Sequence, residues 1–292
     1  MRSLIHPLVS TLALAVTAVS VQAETIYATT AGNSLVKFDS ATPGVTTTNL
    51  VTGLAAGENL LGIDFRLATG ALYGLGSSNR LYTIDLVTAA ATAVGSPFSP
   101  VLEGVSFGFD FNPTVDRIRI TSNTAQNLRA NPDTGAISVD SEINPTGTVV
   151  GSAYDRNDFD PTTSTDLYVI DSGTDRLLQQ GGEDQVPSAN TGILTLIGEL
   201  GVDTTDFVGF DISSATAIAY ATLTAPGSFA ASLYTINLDT GAATLVANGN
   251  TGLQLTSIAV APIPIPGAAW LLGSGLFGLV ATRRRRAGNV GV

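Results

Sequence analysis

The chain has no cysteine, and its single histidine is His6. The first absence rules out disulfides, thiolate metal sites and a cysteine nucleophile. The second matters because His6 falls in a segment read below as a removable leader. A mature chain without His or Cys can build neither a Ser-His-Asp triad, nor a His- or Cys-ligated zinc site, nor a Cys-His pair. Charge is also sparse, at 13% of 292 residues, and basic residues are the scarcer kind: 13 Lys and Arg against 24 Asp and Glu. Five of the thirteen, Arg2 and Arg283 to Arg286, sit at the two ends, and every acid lies between Glu24 and Asp239. The middle therefore carries 8 − 24 = −16. Such a body repels nucleic acid and anionic lipid, which excludes nucleic acid as a partner. It is compatible with cation binding or with solubility outside a cell. No long stretch of helical periodicity runs through it.

What is present is an apolar fraction of 44%, enough for a core, and two distinctive ends. Arg2 followed by the apolar run Leu8 to Val21, with small residues in Val21-Gln22-Ala23, has the pattern of a secretory signal peptide cut after Ala23. An uncleaved anchor is the alternative. At the other end, Gly267 to Thr282 is a run of sixteen residues without charge. As a helix it spans about 24 Å, near the low edge of bilayer thickness. Trp270 suits the interface and the arginine run a cytoplasmic position. The expected division is 1–23 signal peptide, 24–262 exported body, 263–286 membrane-spanning tail and 287–292 cytoplasmic end.

The body repeats. "LLGIDF" (60–65), "SFGFDF" (106–111), "VVGSAYD" (149–155) and "FVGFDI" (207–212) each open a series of three further apolar runs, four to seven residues long and punctuated by Gly, Pro, Asn and Asp. Short β-branched and aromatic runs of this kind predict strands. "NPDTGA" (131–136) and "NLDTGA" (237–242) predict tight turns, with Asp supporting the turn and Gly supplying positive φ. Four-stranded repeats predict an all-β fold, a β-propeller. Residues 25–51 hold three strands that lack the first of their set, and "LTSIAV" (255–260) is an orphan that completes it. The ring would then have five blades, closed by pairing of its two ends. A six-bladed or irregular ring stays open because the 149–200 repeat is long.

The repeated acids are Asp64, Asp110, Asp155 and Asp211. One reading is a ring of carboxylates at the central channel, able to hold Ca²⁺. The other, favoured because repeated positions usually serve architecture, is that each accepts backbone N–H bonds or pairs with an arginine. Arg66, Arg117 and Arg119 are the nearby candidates. "YDRNDFDPTTSTD" (154–166) spaces Asp155, Asn157, Asp158 and Asp160 as a calcium loop does, but lacks its glycine and distal Glu, so an acidic solvated turn is preferred. "GLGSSNR" (74–80) lacks the Lys and helix of a phosphate loop. Phe107, Phe109 and Phe111 are expected in the core. No spacing singles out a catalytic pair, and no cofactor beyond possible Ca²⁺ is implied.

Two resemblances follow from these residues. "PIPGAAWLLGSGLFGLVATRRRR" (264–286) resembles the PEP-CTERM sorting signal of Gram-negative bacteria. The resemblance implies an exosortase-type protease as partner, with Pro264, Pro266, Trp270, Arg283, Arg284, Arg285 and Arg286 as signal residues. Pro264-Ile265-Pro266 stands where that family has Pro-Glu-Pro. "LLGIDFRLATGALYGLGSSNRLYTID", "FGFDFNPTVDRIRITSNTAQNLRANPDTGA" and the "VGFDIS" and "LYTINLDTGAATLV" segments resemble the bacterial domain of unknown function DUF4394, which implies a fold and an exported location more than an activity. Two functions are expected to compete. One is a non-enzymatic surface or matrix protein that binds exopolysaccharide or protein. The other is a Ca²⁺-dependent propeller hydrolase.

Overall fold

Because the strands are short, each sheet hides its faces only by packing on another sheet, and twisted sheets stacked face to face close into a ring. The computed structural model describes residues 23–262 except 159 and 161. The leader before Ala23 and the tail, with its expected membrane helix, Pro264, Pro266, Trp270 and Arg283 to Arg286, lie outside the described residues. Among the described residues no helix is long and apolar enough to cross a membrane.

Five antiparallel four-stranded sheets form the blades. The first holds β1 (Thr25–Thr29), β2 (Ser34–Asp39) and β3 (Thr42–Leu50). The second holds β4 (Leu60–Arg66), β5 (Ala71–Gly76), β6 (Arg80–Ile84) and β7 (Ala91–Val94). The third holds β8 (Phe107–Asn112), β9 (Arg117–Ser122), β10 (Asn127–Ala130) and β11 (Ile137–Val139). The fourth holds β12 (Val149–Tyr154), β13 (Leu167–Asp171), β14 (Arg176–Gln180) and β15 (Leu194–Glu199). The fifth holds β16 (Val208–Ile212), β17 (Ala219–Leu223), β18 (Ser232–Ile236) and β19 (Ala243–Asn250). The last strand, β20 (Ser257–Val260), pairs antiparallel with β1, Ile26 opposite Val260, and so becomes the innermost strand of the first blade. The ring is shut by the two ends of one chain, and the count is five.

The core is distributed around the ring. Five apolar clusters each straddle a junction between neighbouring blades; one packs Tyr73, Leu75 and Leu81 of the second blade on Phe107, Phe109 and Phe111 of the third. The innermost strands are therefore apolar on both faces, which is why "SFGFDF" shows no polar alternation. A second tie crosses the closing junction. The buried carboxylate of Glu24 accepts hydrogen bonds from the hydroxyls of Ser213, Thr216 (2.9 Å) and Tyr220 (3.0 Å) on the fifth blade. Burial, with the Glu24 charge, pushes the Tyr220 hydroxyl up to about 12.

The turn chemistry differs from expectation in one detail. In "NPDTGA" and "NLDTGA" the supporting side chains are Asn131 and Asn237, whose Oδ1 atoms accept the N–H of Asp133 and Asp239, both at 2.9 Å. Neither Asp side chain supports its turn, and Asp133 uses its own on Arg66. Gly135 and Gly241 do supply positive φ, +73° and +80°.

The repeated glycine of the innermost strands serves close approach. A Cβ on Gly108 would lie 2.4 Å from Ser152 Oγ and 2.7 Å from the Ser152 backbone nitrogen, and one on Gly209 would lie 2.7 Å from the Ile258 nitrogen. Neighbouring blades touch at their inner edges only because these positions carry no side chain. Gly108→Ala is expected to lower stability by about 1–3 kcal/mol in urea unfolding through overpacking. Gly32→Ala, whose added methyl meets nothing nearer than 3.8 Å, should stay within about 0.5 kcal/mol.

Candidate functional site: the carboxylate hub and the cleft beside it

An innermost strand has one edge hydrogen-bonded within its blade and the other facing the ring axis. Five such edges meet at the centre, and their N–H groups need acceptors where water has little room. Two residues beyond the repeated glycine, at Asp64, Asp110 and Asp211, the sequence supplies them. Asp64 Oδ1 accepts from Phe65 N–H at 2.6 Å and Oδ2 from Phe111 N–H at 2.7 Å. Asp110 Oδ2 accepts from Tyr154 N–H at 2.8 Å. Asp211 accepts from Ile212 N–H at 2.6 Å and from Val260 N–H at 2.5 Å. Three carboxylates thus serve one N–H on each of the five innermost strands. Three of the five bonds cross from one blade to the next. The sixth oxygen, Asp110 Oδ1, is left over, and Asp110 and Asp64 hydrogen-bond to each other.

The expected fourth acid does not join. Counting from Gly151, the hub position in β12 is Ala153, and counting from Ser257 it is Ala259 in β20. Asp155 lies two residues past Ala153, beyond the end of β12, because "VVGSAYD" is one residue pair longer to its acid than the other repeats. There Asp155 Oδ1 accepts Asp166 N–H at 2.6 Å, and Arg156 bridges Asp155 (3.3 Å), Asp166 (3.0 Å) and Asp184 (3.2 Å). Arg156 thus ties the two ends of the 155–166 segment to Asp184. Among the described residues only Asp64, Asp110 and Asp211 bring three carboxylate oxygens within 4.8 Å of one another.

None of the expected arginine partners reaches the hub. Arg66 binds Asp116 (2.5 Å) and Asp133 (2.6 Å), and Arg119 binds Asp140 (2.7 Å). Arg117 donates to the Asp116 carbonyl at 2.8 Å. The three hub acids, 6%, 1% and 3% exposed, face one another, and among the described residues no arginine or lysine pairs with them. Burial, then the neighbouring carboxylates, pushes Asp64 and Asp110 well above the usual carboxylate range. Burial pushes Asp211 up to about 7, against its two N–H bonds. A proton on the leftover Asp110 oxygen, donated to Asp64, satisfies both charge and geometry.

A divalent ion fits less well: Ca²⁺ takes six to eight oxygens, and five of the six here already accept N–H groups whose positive ends point inward. One further oxygen stands at the hub's mouth. Asn157 Nδ2 donates to the Ile212 carbonyl at 2.9 Å, and its buried Oδ1 has no partner.

Two larger depressions flank the hub. Where the innermost strands begin, a hollow of about 160 Å³ is lined mainly by Leu60, Leu61, Phe107, Val150 and Phe207, with Asp206 as its one charged group. Where they end, between the third and fourth blades, a cleft of about 270 Å³ holds Arg117, Arg119 and Arg129. Sequence reading passed over this cleft, since its residues come from five separate segments.

A closed ring of five four-stranded blades with its ends joined in one sheet defines the protein as a five-bladed β-propeller. The chain belongs to the domain of unknown function family DUF4394, whose profile matches residues 34–259. Among solved structures it is similar to a protein of unknown function from Bacteroides thetaiotaomicron, at 12% identity and a TM-score of 0.49, over 83% of this chain and 68% of that one. It is also similar to a protein from Lactobacillus plantarum, at 19% identity and 0.41, over 80% and 71%. No curated protein matches the chain.

The hub makes an asymmetric prediction. In Asp110→Asn, the amide oxygen keeps the Tyr154 bond and the amide nitrogen donates to Asp64 as the acid proton did, so folding should be retained. Asp211→Asn turns an NH₂ toward one of two N–H donors and should cost about 1–3 kcal/mol. The pH dependence has a fixed sign. A carboxyl with raised folded pKa stabilises fully below its unfolded value near 4, and that contribution falls as pH rises toward the folded value. Across that window Asp110→Asn should gain on the wild type by up to about 1.4 kcal/mol per pH unit, read from urea midpoints at pH 4 to 8.

Proposed function

We propose that this propeller is an exported, surface- or matrix-associated binding scaffold that performs no chemistry of its own and is anchored or processed through its C-terminal segment. The observation that carries this reading is the employment of the hub carboxylates. Each is bonded to backbone across or within blades, so none is held as a general base or nucleophile toward an open site. In this reading the hub acids Asp64, Asp110 and Asp211 serve the architecture. Support for export and sorting comes from the sequence: the leader pattern ending at Ala23 and the proline, tryptophan and arginine elements of the tail. The acidic body, at −16, suits an extracellular protein that must not bind anionic surfaces without selection.

A second reading has one observation in its favour. The unpartnered Oδ1 of Asn157 at the hub's mouth could add an oxygen to those of Asp64 and Asp211, as a Ca²⁺-dependent hydrolase would require.

Expression of the full chain in a Gram-negative host with an exosortase tests the proposal. The expected exported form begins at Glu24, reaches the surface or medium, and retains exopolysaccharide or matrix protein in co-sedimentation. Retention in the cytoplasm with an intact N-terminus would contradict it. Calcium separates the two readings: the scaffold expects the same melting temperature in millimolar Ca²⁺, Mg²⁺ or chelator, whereas a selective rise with Ca²⁺ supports the hydrolase.

A further inference from the structure

The fourth blade is longer than its neighbours. From repeated glycine to repeated glycine the spacing is 108 − 62 = 46, then 151 − 108 = 43, then 209 − 151 = 58, and from Gly209 to Ser257 it is 48. The excess lies in two segments, the 155–166 loop after β12 and the stretch 181–193 between β14 and β15, which contains two short 3-10 turns. Among the described residues neither adds a strand. Each sends residues to the junction with the third blade: Ser164, Thr165, Gln185, Ser188 and Asn190 form one wall of the cleft. The opposite wall, on the third blade, carries Arg117, Arg119 and Arg129, three of the eight basic residues in the body.

These arginines are held differently. Arg119, 2% exposed, is the floor: it donates to Asn127 (2.7 Å), Asp140 (2.7 Å), Asn190 (2.6 Å) and Tyr154 Oη (3.3 Å), and so ties the insertion to the third blade. Arg129 is gripped by both oxygens of Asp140, at 2.7 and 2.8 Å, leaving Nη1 without a partner. Among the described residues Arg117 has one bond, from Nη1 to the Asp116 carbonyl, and no carboxylate within ion-pair distance; Asp116 gives its own carboxylate to Arg66. Its Nε and Nη2 are unused. Two guanidinium groups thus present spare donors beside Asn112, Thr114, Ser164 and Ser188. A half-buried guanidinium fork matches a carboxylate in plane and spacing, and hydroxyl and amide groups around it match sugar hydroxyls.

We propose that this cleft is a ligand site for a carboxylate-bearing saccharide, the carboxylate held by Arg117 and Arg129 and the hydroxyls by the wall of the fourth-blade insertion. The inference rests on the scaffold reading and names the ligand class that the scaffold takes. The strong negative charge of the rest of the body makes the site selective: a short uronate can enter, whereas a long dense polyanion is repelled along its length.

Isothermal calorimetry of the purified protein tests it, with tetragalacturonate as the acidic probe and maltotetraose as the neutral one. The expected result is saturable binding of tetragalacturonate alone, weakened at least tenfold in Arg117→Gln and by raising salt from 50 to 500 mM. Arg80→Gln, a basic residue outside the cleft, should bind as the wild type does, and urea midpoints within error of the wild type confirm that each variant is folded. Equal binding of both probes, or tetragalacturonate binding that survives Arg117→Gln, would overturn the site while leaving the scaffold reading in place. No binding of either probe would overturn the site; a matching failure to retain any exopolysaccharide or matrix protein would remove the scaffold reading as well.

Discussion

Closing five sheets into a ring creates a demand for acceptors at the axis, and the rest of this structure depends on how that demand is met. Each innermost strand brings a free edge to the centre, and glycines bring those edges so close that solvent cannot satisfy them. Three carboxyl groups do so in its place. A buried N–H left alone costs about 1–3 kcal/mol, so five orphaned donors would offset most of the net stability of an ordinary domain. Among the described residues no arginine or lysine pairs with the carboxyls, and the group settles by holding a proton. Architecture and unusual acidity at the hub are one fact seen from two sides.

Much of the fold was legible in the sequence. The strands, the repeat, the count of five and the closure by Ser257–Val260 all follow from short apolar runs and their order. The hub was legible in part. Aligning the repeats on their aspartates assigned Asp155 to it, whereas aligning on glycine would have placed Ala153 there, because the close approach of backbones fixes the register and the acid only exploits it. Two alanines among five positions leave room for three carboxyls. The turns differ for a similar reason: the support was assigned to the aspartate, although an amide oxygen two residues before a donor closes such a turn as well as a carboxylate does.

The cleft was not legible at all, for a physical reason. Its arginines are spaced by two and ten residues, Arg117 and Arg119 on β9 and Arg129 on β10, and each has a local neighbour that reads as its partner. Only the fold reveals that Asp140 serves both Arg119 and Arg129 while Asp116 turns to Arg66, leaving Arg117 unpaired. The length of the 149–200 repeat was visible and suggested a divided blade. It is instead a normal blade whose surplus residues are spent on a wall. Propellers commonly keep their sheets uniform and vary the connections, and function follows the connections.

The central claim is that the hub aspartates hold a shared proton in an N–H-lined centre. Carbon-13 titration of the side-chain carboxyl resonances of Asp64, Asp110 and Asp211 in the folded protein measures it most directly. The account predicts that Asp110 titrates well above the usual carboxylate range and that Asp211 titrates near neutrality, with no change on adding calcium. Three ordinary titrations near pH 4, or resonances that move together with calcium, would contradict it.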